Sequence, residues 1–169
     1  MRLSLAQSNK MMVMSEIEVR LATAEDAELF DRVAEEVFDE AVDPARLAAY
    51  LSTPGHHMIV ALDRGTIVGQ VAAVAHRHPD KPTELYIDEV GVAAGYRRRG
   101  IARRMLAAML AHGKAIGCEE AWVGTESDNL PAKALYEERR GAGDDEAEQF
   151  VMYVFRRCAG RVVTGYAAD

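Results

Sequence analysis

The sequence lacks the features that mark membrane-spanning and secreted proteins. No run of about 18 apolar residues appears, so no helix is expected to cross a membrane. Residues 1–10 are polar, and the apolar stretch at 11–14 is too short to serve as a secretory signal. We therefore expect a cytoplasmic protein, with residues 1–14 as a loose N-terminal leader.

Basic charge is also scarce. The chain has 20 Lys and Arg residues against 27 Asp and Glu residues, which gives a net charge of −7. Nucleic-acid binders depend on many cationic side chains that release counterions from phosphates. The balance therefore argues against a nucleic-acid partner, and it is compatible with a small cationic substrate.

Cysteine is rare, and its spacing suggests no metal or redox site. Cys118 and Cys158 are far apart, and free cysteines usually act as small apolar residues in or beside a core. His76 and His78 are two residues apart on a predicted strand, so they would face the same way. The sequence indicates no third metal ligand beside them, and we therefore expect no metal.

The length of the chain favours a single domain. At 169 residues, with 49% apolar and 28% charged residues, it can bury a substantial core once but hardly twice. No internal repeat, low-complexity tract or linker is visible. We place the domain at residues 15–157 and a polar C-terminal tail at 158–169.

Hydrophobic periodicity predicts the order β-α-α-β-β-β-α-β-α-β, a mixed α/β sheet with helices on both faces. A first strand at 17–21 precedes a long first helix, which begins after Thr23 and continues to Ala41. A second helix starts at Pro44, a residue that suits the first turn. The other strands are predicted at 58–62, 66–75, 85–92, 121–125 and 150–155, and the other helices at 101–116 and 131–139.

One loop organises this arrangement. The stretch Tyr96–Ala102 joins a buried strand to an amphipathic helix, whose first four backbone N–H groups have no intrahelical partner. The helix dipole adds about half a positive charge there, and Gly100 lets a ligand oxygen approach the backbone closely. A phosphate satisfies both requirements, and Arg97, Arg98 and Arg99 surround it with positive charge. The loop contains neither G-x-x-x-x-G-K-[ST] nor G-x-G-x-x-G.

Two segments carry a resemblance to a known family. The hexad Arg97–Ala102 resembles motif A of the GNAT acetyltransferases, R/Q-x-x-G-x-G/A, which wraps the pyrophosphate of acetyl-coenzyme A. Asn129–Tyr136 is similar to their motif B, N-x-x-A-x-x-L-Y, although a longer charged run follows it than is usual in the family. The element order is also that of the family, so the resemblance covers residues 16–157 and implies the GNAT fold.

The resemblance implies an acetyl-coenzyme A dependent amine acetyltransferase that transfers acetyl directly, without a metal or a covalent intermediate. Tyr136 would protonate the departing thiolate, or would serve only as a core aromatic residue. Asn129 would orient the pantetheine arm, cap the helix that follows it, or do both. The cofactor-binding residues implied are Val90, Gly91, Val92, Arg97, Arg98, Arg99, Gly100, Ile101, Ala102, Asn129 and Tyr136.

A base is also required, because the acceptor amine arrives mostly protonated. Glu89 is our choice, acting directly or through a water, and Asp88 is the alternative. These two residues are expected to point to opposite faces of the strand. Either one could instead be an ordinary solvated carboxylate at the edge of the sheet.

The strand Glu84–Val92 is similar to the corresponding strand of the GNAT-type aminoglycoside 3-N-acetyltransferases. This implies a polycationic aminosugar as acceptor, an antibiotic-resistance function and a homodimer. Alternatives are a polyamine or protein amine as acceptor, or a module that binds acetyl-coenzyme A without catalysis. An acidic pocket would suit a cationic acceptor, and the candidates for it are Glu35, Asp39, Glu40, Glu89, Glu126 and Asp128. The first three also fit the solvated side of the predicted first helix.

Overall fold

The computed structural model describes residues 16–139, which form a five-stranded mixed sheet in the order β1-β2-β3-β4-β5. The strands are β1 (Glu18–Leu21), β2 (His56–Asp63), β3 (Thr66–His76), β4 (Glu84–Val92) and β5 (Glu120–Val123). The first four pair antiparallel, and β5 pairs parallel with β4. The helices are α1 (Pro44–Ser52), α2 (Ile101–Ala115) and α3 (Leu130–Arg139), with 3-10 helices at Ala24–Asp31 and Ala94–Tyr96. The predicted mixed α/β fold is confirmed.

The chain divides into two compact units, residues 1–135 and 136–169. The second is described only at 136–139, the end of α3. The predicted leader, the C-terminal tail and the predicted strand at 150–155 lie outside the described residues. No helix between residues 16 and 139 is long and apolar enough to cross a membrane.

Local sequence accounts for most element boundaries in the first unit. Asp43 caps α1, because its Oδ1 accepts the Arg46 N–H at 2.8 Å. Arg64 and Gly65 form the β2–β3 turn with φ values of 50° and 78°, the conformation that matches the twist of a tight hairpin. Gly117, with φ of 89°, ends α2 where a left-handed residue was expected.

Helices pack on both faces of the sheet. On one face, glycines let α2 approach the strands closely: a Cβ on Gly69 would lie 2.8 Å from Met105 Cε, and one on Gly113 would lie 2.7 Å from Leu85 Cδ2. On the other face, residues from the first 3-10 helix, α1 and the segment between them form a buried cluster on β2 and β3. The cluster includes Phe30, Val37, Leu47, Met58, Val60, Leu62, Ile67 and Ala72.

The predicted long first helix is wrong. After Asp31 the backbone leaves the 3-10 helix and bonds to β3 instead: Ile67 N–H donates to Arg32 O, and Ala34 N–H donates to Ile67 O, each at 2.8 Å. These bonds replace the intrahelical ones that a helix through residues 32–41 would need. The apolar periodicity was real, but tertiary burial of Phe30 and Val37 overrides it.

The segment after this point, residues 36–43 (the 36–43 segment), crosses the end of β4. At Gly91 the two backbones lie close together, since an added Cβ would be 2.2 Å from the carbonyl oxygen of Val37. Only glycine leaves room for this backbone contact. Gly91 therefore determines how near the 36–43 segment lies to the sheet.

We expect Gly91→Ala to lower the free energy of unfolding by about 1–3 kcal/mol, the usual cost of overpacking a filled interior. Thermal or urea unfolding measures the change. Gly95→Ala is the matched control, because a Cβ there would meet nothing within 4 Å, and its stability should be unchanged or slightly higher. Equal stability of the two variants would contradict the contact at Val37.

Candidate active site

The first turn of α2 is open to a ligand. Its N-cap is Gly100, in the left-handed conformation with φ of 74°, and no side chain caps the helix. Among the backbone hydrogen bonds of the described loops and helix caps, none has the N–H of Ile101 or Ala102 as its donor. A Cβ on Gly100 would meet nothing within 4 Å. Unpaired amides and the positive end of the helix dipole therefore face an open space that suits an anion.

The three arginines of this loop have different surroundings. The side chain of Arg97 is held by two hydrogen bonds: its Nε donates to Val92 O at 3.1 Å, and its Nη2 donates to Glu36 Oε2 at 2.9 Å. The guanidinium of Arg99 lies 4.9 Å from the ring centroid of Tyr96. Arg98 is exposed, with φ of 61°. Arg97 thus joins the loop to the 36–43 segment, whereas Arg98 and Arg99 are exposed and add positive charge near the start of the helix.

Strand β4 loses its neighbour halfway along. Its pairing with β5 covers only Glu84–Ile87, so Asp88–Val92 has no partner on that edge in the described part of the chain. The pairing with β3 also shifts here, since Ala72 pairs with Glu89 and Ala73 with Ile87. Asp88 is therefore the extra residue of a β-bulge. The open edge of Val90, Gly91 and Val92 offers backbone donors and acceptors to an extended ligand.

An acidic cavity of about 430 Å³ lies on the sheet face that carries Glu89. The 36–43 segment and α1 form its walls, and four carboxylates face one guanidinium. This excess of negative charge favours a cationic occupant. The charged residues that line it are Asp39, Glu40, Asp43, Arg46 and Glu89.

The structure brings together three of the six predicted pocket residues. Asp39, Glu40 and Glu89 line the acidic cavity. Glu35, Glu126 and Asp128 are exposed and do not line it. Asp43 also lines the cavity but was not predicted as a pocket residue, because its position before Pro44 predicts only a helix cap.

Glu89 has the electrostatic environment of a base. Burial raises the pKa of its carboxyl above the usual value, and the charges of Asp39 and Asp88 raise it further. The nearby amide of Gln70 opposes this rise, although neither of its polar atoms makes a hydrogen bond of normal geometry in the described part of the chain. A carboxylate that is more basic than usual accepts a proton from an amine more readily. Asp88, the alternative base, is exposed at the bulge.

Tyr50 is a cavity residue that the sequence analysis missed. Its hydroxyl donates to His57 O at 2.9 Å. Burial raises the pKa of Tyr50 to about 12, and the charges of Asp88 and Glu89 add to the rise. The phenol is therefore a neutral donor at physiological pH. Its spacing of three residues from buried Leu47 on α1 was the available signal.

The two motif B residues have different outcomes. Asn129 caps α3, because its Oδ1 accepts the Ala132 N–H at 3.2 Å. The capping role is therefore confirmed, and the pantetheine contact stays a prediction. Tyr136 lies on α3 as predicted, in the second compact unit, and its role as an acid also stays a prediction.

A larger cavity of about 580 Å³ lies at the other end of α2. It contains Cys118 and none of the predicted site residues. Burial raises the pKa of the Cys118 thiol, which lowers its thiolate fraction and its reactivity. The acidic cavity is therefore the better candidate for chemistry.

The chain is similar to known proteins in sequence and in fold. The model of the acetyltransferase (GNAT) family matches residues 21–142. The N-alpha-acetyltransferase RimI of Mycobacterium tuberculosis is 33% identical over 102 residues, which are 59% of this chain and 61% of that protein. The chain thus spans less than two thirds of the length of this curated relative.

Solved structures show the same fold. An aminoglycoside acetyltransferase, HMB0005, from an uncultured soil metagenomic sample is 25% identical, with a TM-score of 0.65 over 82% of this chain and 99% of that chain. The aminoglycoside N-acetyltransferase AAC(6')-Iy, solved with the bisubstrate analogue CoA-S-monomethyl-acetylneamine, is 22% identical, with a TM-score of 0.68 over 85% of this chain and 100% of that chain. The sequence predicted the 3-N type, whereas this relative is of the 6′ type, so the position of acetylation stays a prediction.

We expect Gly100→Ala to weaken coenzyme A binding by at least about tenfold, or about 1.4 kcal/mol, because a Cβ would enter the space in front of the α2 amides. Isothermal titration calorimetry measures the affinity. Because alanine disfavours the left-handed conformation of residue 100, Gly100→Ala should also lower the free energy of unfolding by about 1–2 kcal/mol.

Gly117→Ala is the matched control for this test. Gly117 lies at the opposite end of the same helix, has φ of 89°, and would also place a Cβ in open space. It should lose similar stability and keep its coenzyme A affinity. If both variants bind coenzyme A equally well, the α2 start does not hold the ligand.

Proposed function

Because this chain belongs to the GNAT acetyltransferase family, we propose that it is an acetyl-coenzyme A dependent N-acetyltransferase that acts on a cationic primary amine. The observation that carries the proposal is the acidic cavity, in which Glu89 meets Asp39 and Glu40. The cavity adjoins the bulge at Asp88, where β4 continues beyond its pairing with β5. A cationic acceptor in the cavity would therefore lie next to the open edge of β4.

Residues at both ends of the connection from β4 to α2, Ala93–Gly100 (the α2 loop), would hold the acetyl donor. Acetyl-coenzyme A supplies the acetyl group as a thioester. The amides of Ile101 and Ala102 would bind its pyrophosphate, with charge from Arg98 and Arg99. The backbone at the open edge of β4 would bind the pantetheine arm. The full proposed set is Val90, Gly91, Val92, Arg97, Arg98, Arg99, Gly100, Ile101, Ala102, Asn129 and Tyr136.

The proposed reaction needs one base and one acid. The amine nitrogen attacks the thioester carbon, so a C–N bond forms and the C–S bond breaks. Glu89, directly or through a water, accepts the proton that the amine loses, and Asp88 is the alternative. Tyr136 donates a proton to the leaving sulfur. Because a phenol has a pKa of about 10 and a thiol about 8.5, this transfer is uphill by about 2 kcal/mol unless it accompanies C–S cleavage.

An aminoglycoside is the acceptor class that we favour. The solved relative at 25% identity is an aminoglycoside acetyltransferase, and the carboxylates of the cavity suit several ammonium groups on one molecule. Each charge pair at 4 Å is worth about 4 kcal/mol at an effective dielectric constant of about 20, before desolvation. The 3-amino group is the predicted position, and NMR of the product distinguishes it from the 6′-amino group.

The N-terminal amine of a protein is the second candidate acceptor. The 33% identity with an N-alpha-acetyltransferase favours it. A polyamine would satisfy the same carboxylates. A module that only binds acetyl-coenzyme A is less well supported, because binding alone does not require the basic carboxylate of Glu89.

We expect the protein to release coenzyme A thiol from acetyl-coenzyme A fastest with aminoglycosides. The assay compares aminoglycosides, polyamines and peptides with a free N-terminal alanine at matched concentrations. Faster release with the peptides would move the assignment to protein N-termini. Thiol release with none of the amines, by protein that binds coenzyme A in calorimetry, would favour the non-catalytic module.

We expect Glu89→Gln to lower the turnover number by about 100-fold or more, the usual contribution of a general base. In the wild type, turnover should fall as the pH drops through the raised pKa of Glu89, since the protonated carboxyl cannot accept a proton. The variant should lose this acidic limb. Asp88→Asn is the control, and it should keep the limb and most of the rate. The reverse result would identify Asp88 as the base.

A further inference from the structure

Three potential metal ligands lie at the end of the sheet that is remote from the α2 loop. They are His76, His78 and Glu84, whose ligand atoms all lie within 4.8 Å of one another. His76 ends β3 and pairs with Glu84 at the start of β4, and His78 lies in the connection between these strands. The sequence indicated the two histidines only; the β3–β4 register adds the carboxylate. We propose that this trio, the His–His–Glu cluster, binds Zn²⁺.

The distances in the cluster suit a tetrahedral metal. Zn²⁺ binds imidazole nitrogen and carboxylate oxygen at about 2.0–2.2 Å, which places neighbouring ligand atoms about 3.4 Å apart. His78 Nε2 lies 3.3 Å from Glu84 Oε2. The His76 and His78 ring centroids are 4.1 Å apart. Because His76 is exposed, its side chain can rotate to complete the site without disturbing the core.

The carboxylate of Glu84 is already oriented by other groups. Trp122 Nε1 donates to Oε2 at 3.2 Å, and Lys81 Nζ donates to Oε1 at 2.5 Å. Such outer partners fix the direction of a ligating carboxylate. Lys81 bonds to Oε1 only, so Oε2 can face His78. Because the Lys81 side chain is 48% exposed, it can move into solvent when Zn²⁺ binds.

The donor set selects the class of metal. Two imidazole nitrogens and one carboxylate oxygen suit Zn²⁺, and also Cu²⁺ and Ni²⁺. Mg²⁺ and Ca²⁺ prefer oxygen ligands alone. Three protein ligands leave at least one position for water.

The metal would be structural rather than catalytic. It would join the end of β3, the connection that carries His78 and the start of β4. At about 3.3 Å per residue, β4 extends about 13 Å from Glu84 to Asp88, where its edge opens, and about 26 Å from Glu84 to Val92. The cluster is therefore too far from the α2 loop and the open edge of β4 to take part in acetyl transfer.

The untagged full-length chain should bind one Zn²⁺ in isothermal titration calorimetry, and the bound metal should raise its unfolding temperature. Mg²⁺ should do neither. His78→Gln and His76→Gln should each weaken Zn²⁺ binding by at least about tenfold, or about 1.4 kcal/mol. Because His76 is exposed, its replacement should leave the fold intact. The single tryptophan of the chain, Trp122, supplies a second readout: Cu²⁺ should quench its fluorescence in the wild type and quench it less in His76→Gln and His78→Gln.

His112→Gln is the matched control. It removes one member of the other close histidine pair, in which His112 Nε2 lies 3.0 Å from His57 Nδ1, and it should leave Zn²⁺ affinity unchanged. The proposal is overturned if the wild type takes up no stoichiometric Zn²⁺. It is also overturned if His76→Gln and His78→Gln bind Zn²⁺ as tightly as the wild type, or if His112→Gln is the variant that loses binding.

Discussion

The contact between the Val37 carbonyl and Gly91 is the constraint on which the candidate site depends. Because residue 91 has no side chain, the 36–43 segment can cross β4 at backbone distance. This crossing places Asp39 and Glu40 opposite Glu89. The ion pair of Arg97 with Glu36, at 2.9 Å, joins the same segment to the α2 loop. One close approach thus positions both the acidic cavity and the loop beside it.

The polar groups around this contact are arranged at a cost in stability. Glu89 is half-buried near two other carboxylates, and its pKa is raised as a result. Gln70 is fully buried, and within residues 16–139 its amide has no hydrogen bond of normal geometry. Natural proteins usually avoid such groups in a core. Violations of local rules concentrate at functional sites, and these two support the functional reading of the acidic cavity.

Much of the fold could be predicted because the signals are local. Pro44 and Gly117 mark helix ends, Arg64–Gly65 forms a tight turn, and apolar rows define α2, all within a few residues of the feature that they predict. The first helix failed because Phe30 and Val37 are spaced for a helix but are buried against the sheet. The expectation that Asp88 and Glu89 alternate along β4 failed for a similar reason, since Asp88 lies in a bulge and a bulge depends on the register with a partner strand.

The sequence by itself determined the order of β1–β5 with α1, α2 and α3, and the open glycine turn before α2, because each follows from residue chemistry and short spacing. Glu89 as the base stays a prediction. Only the tertiary structure decided which carboxylates share the acidic cavity, and it separated Asp39 and Glu40 from Glu35, Glu126 and Asp128. It also placed Glu84 beside His76 and His78. These groupings depend on strand register and on the path of the 36–43 segment, which arise from contacts between residues far apart in the chain.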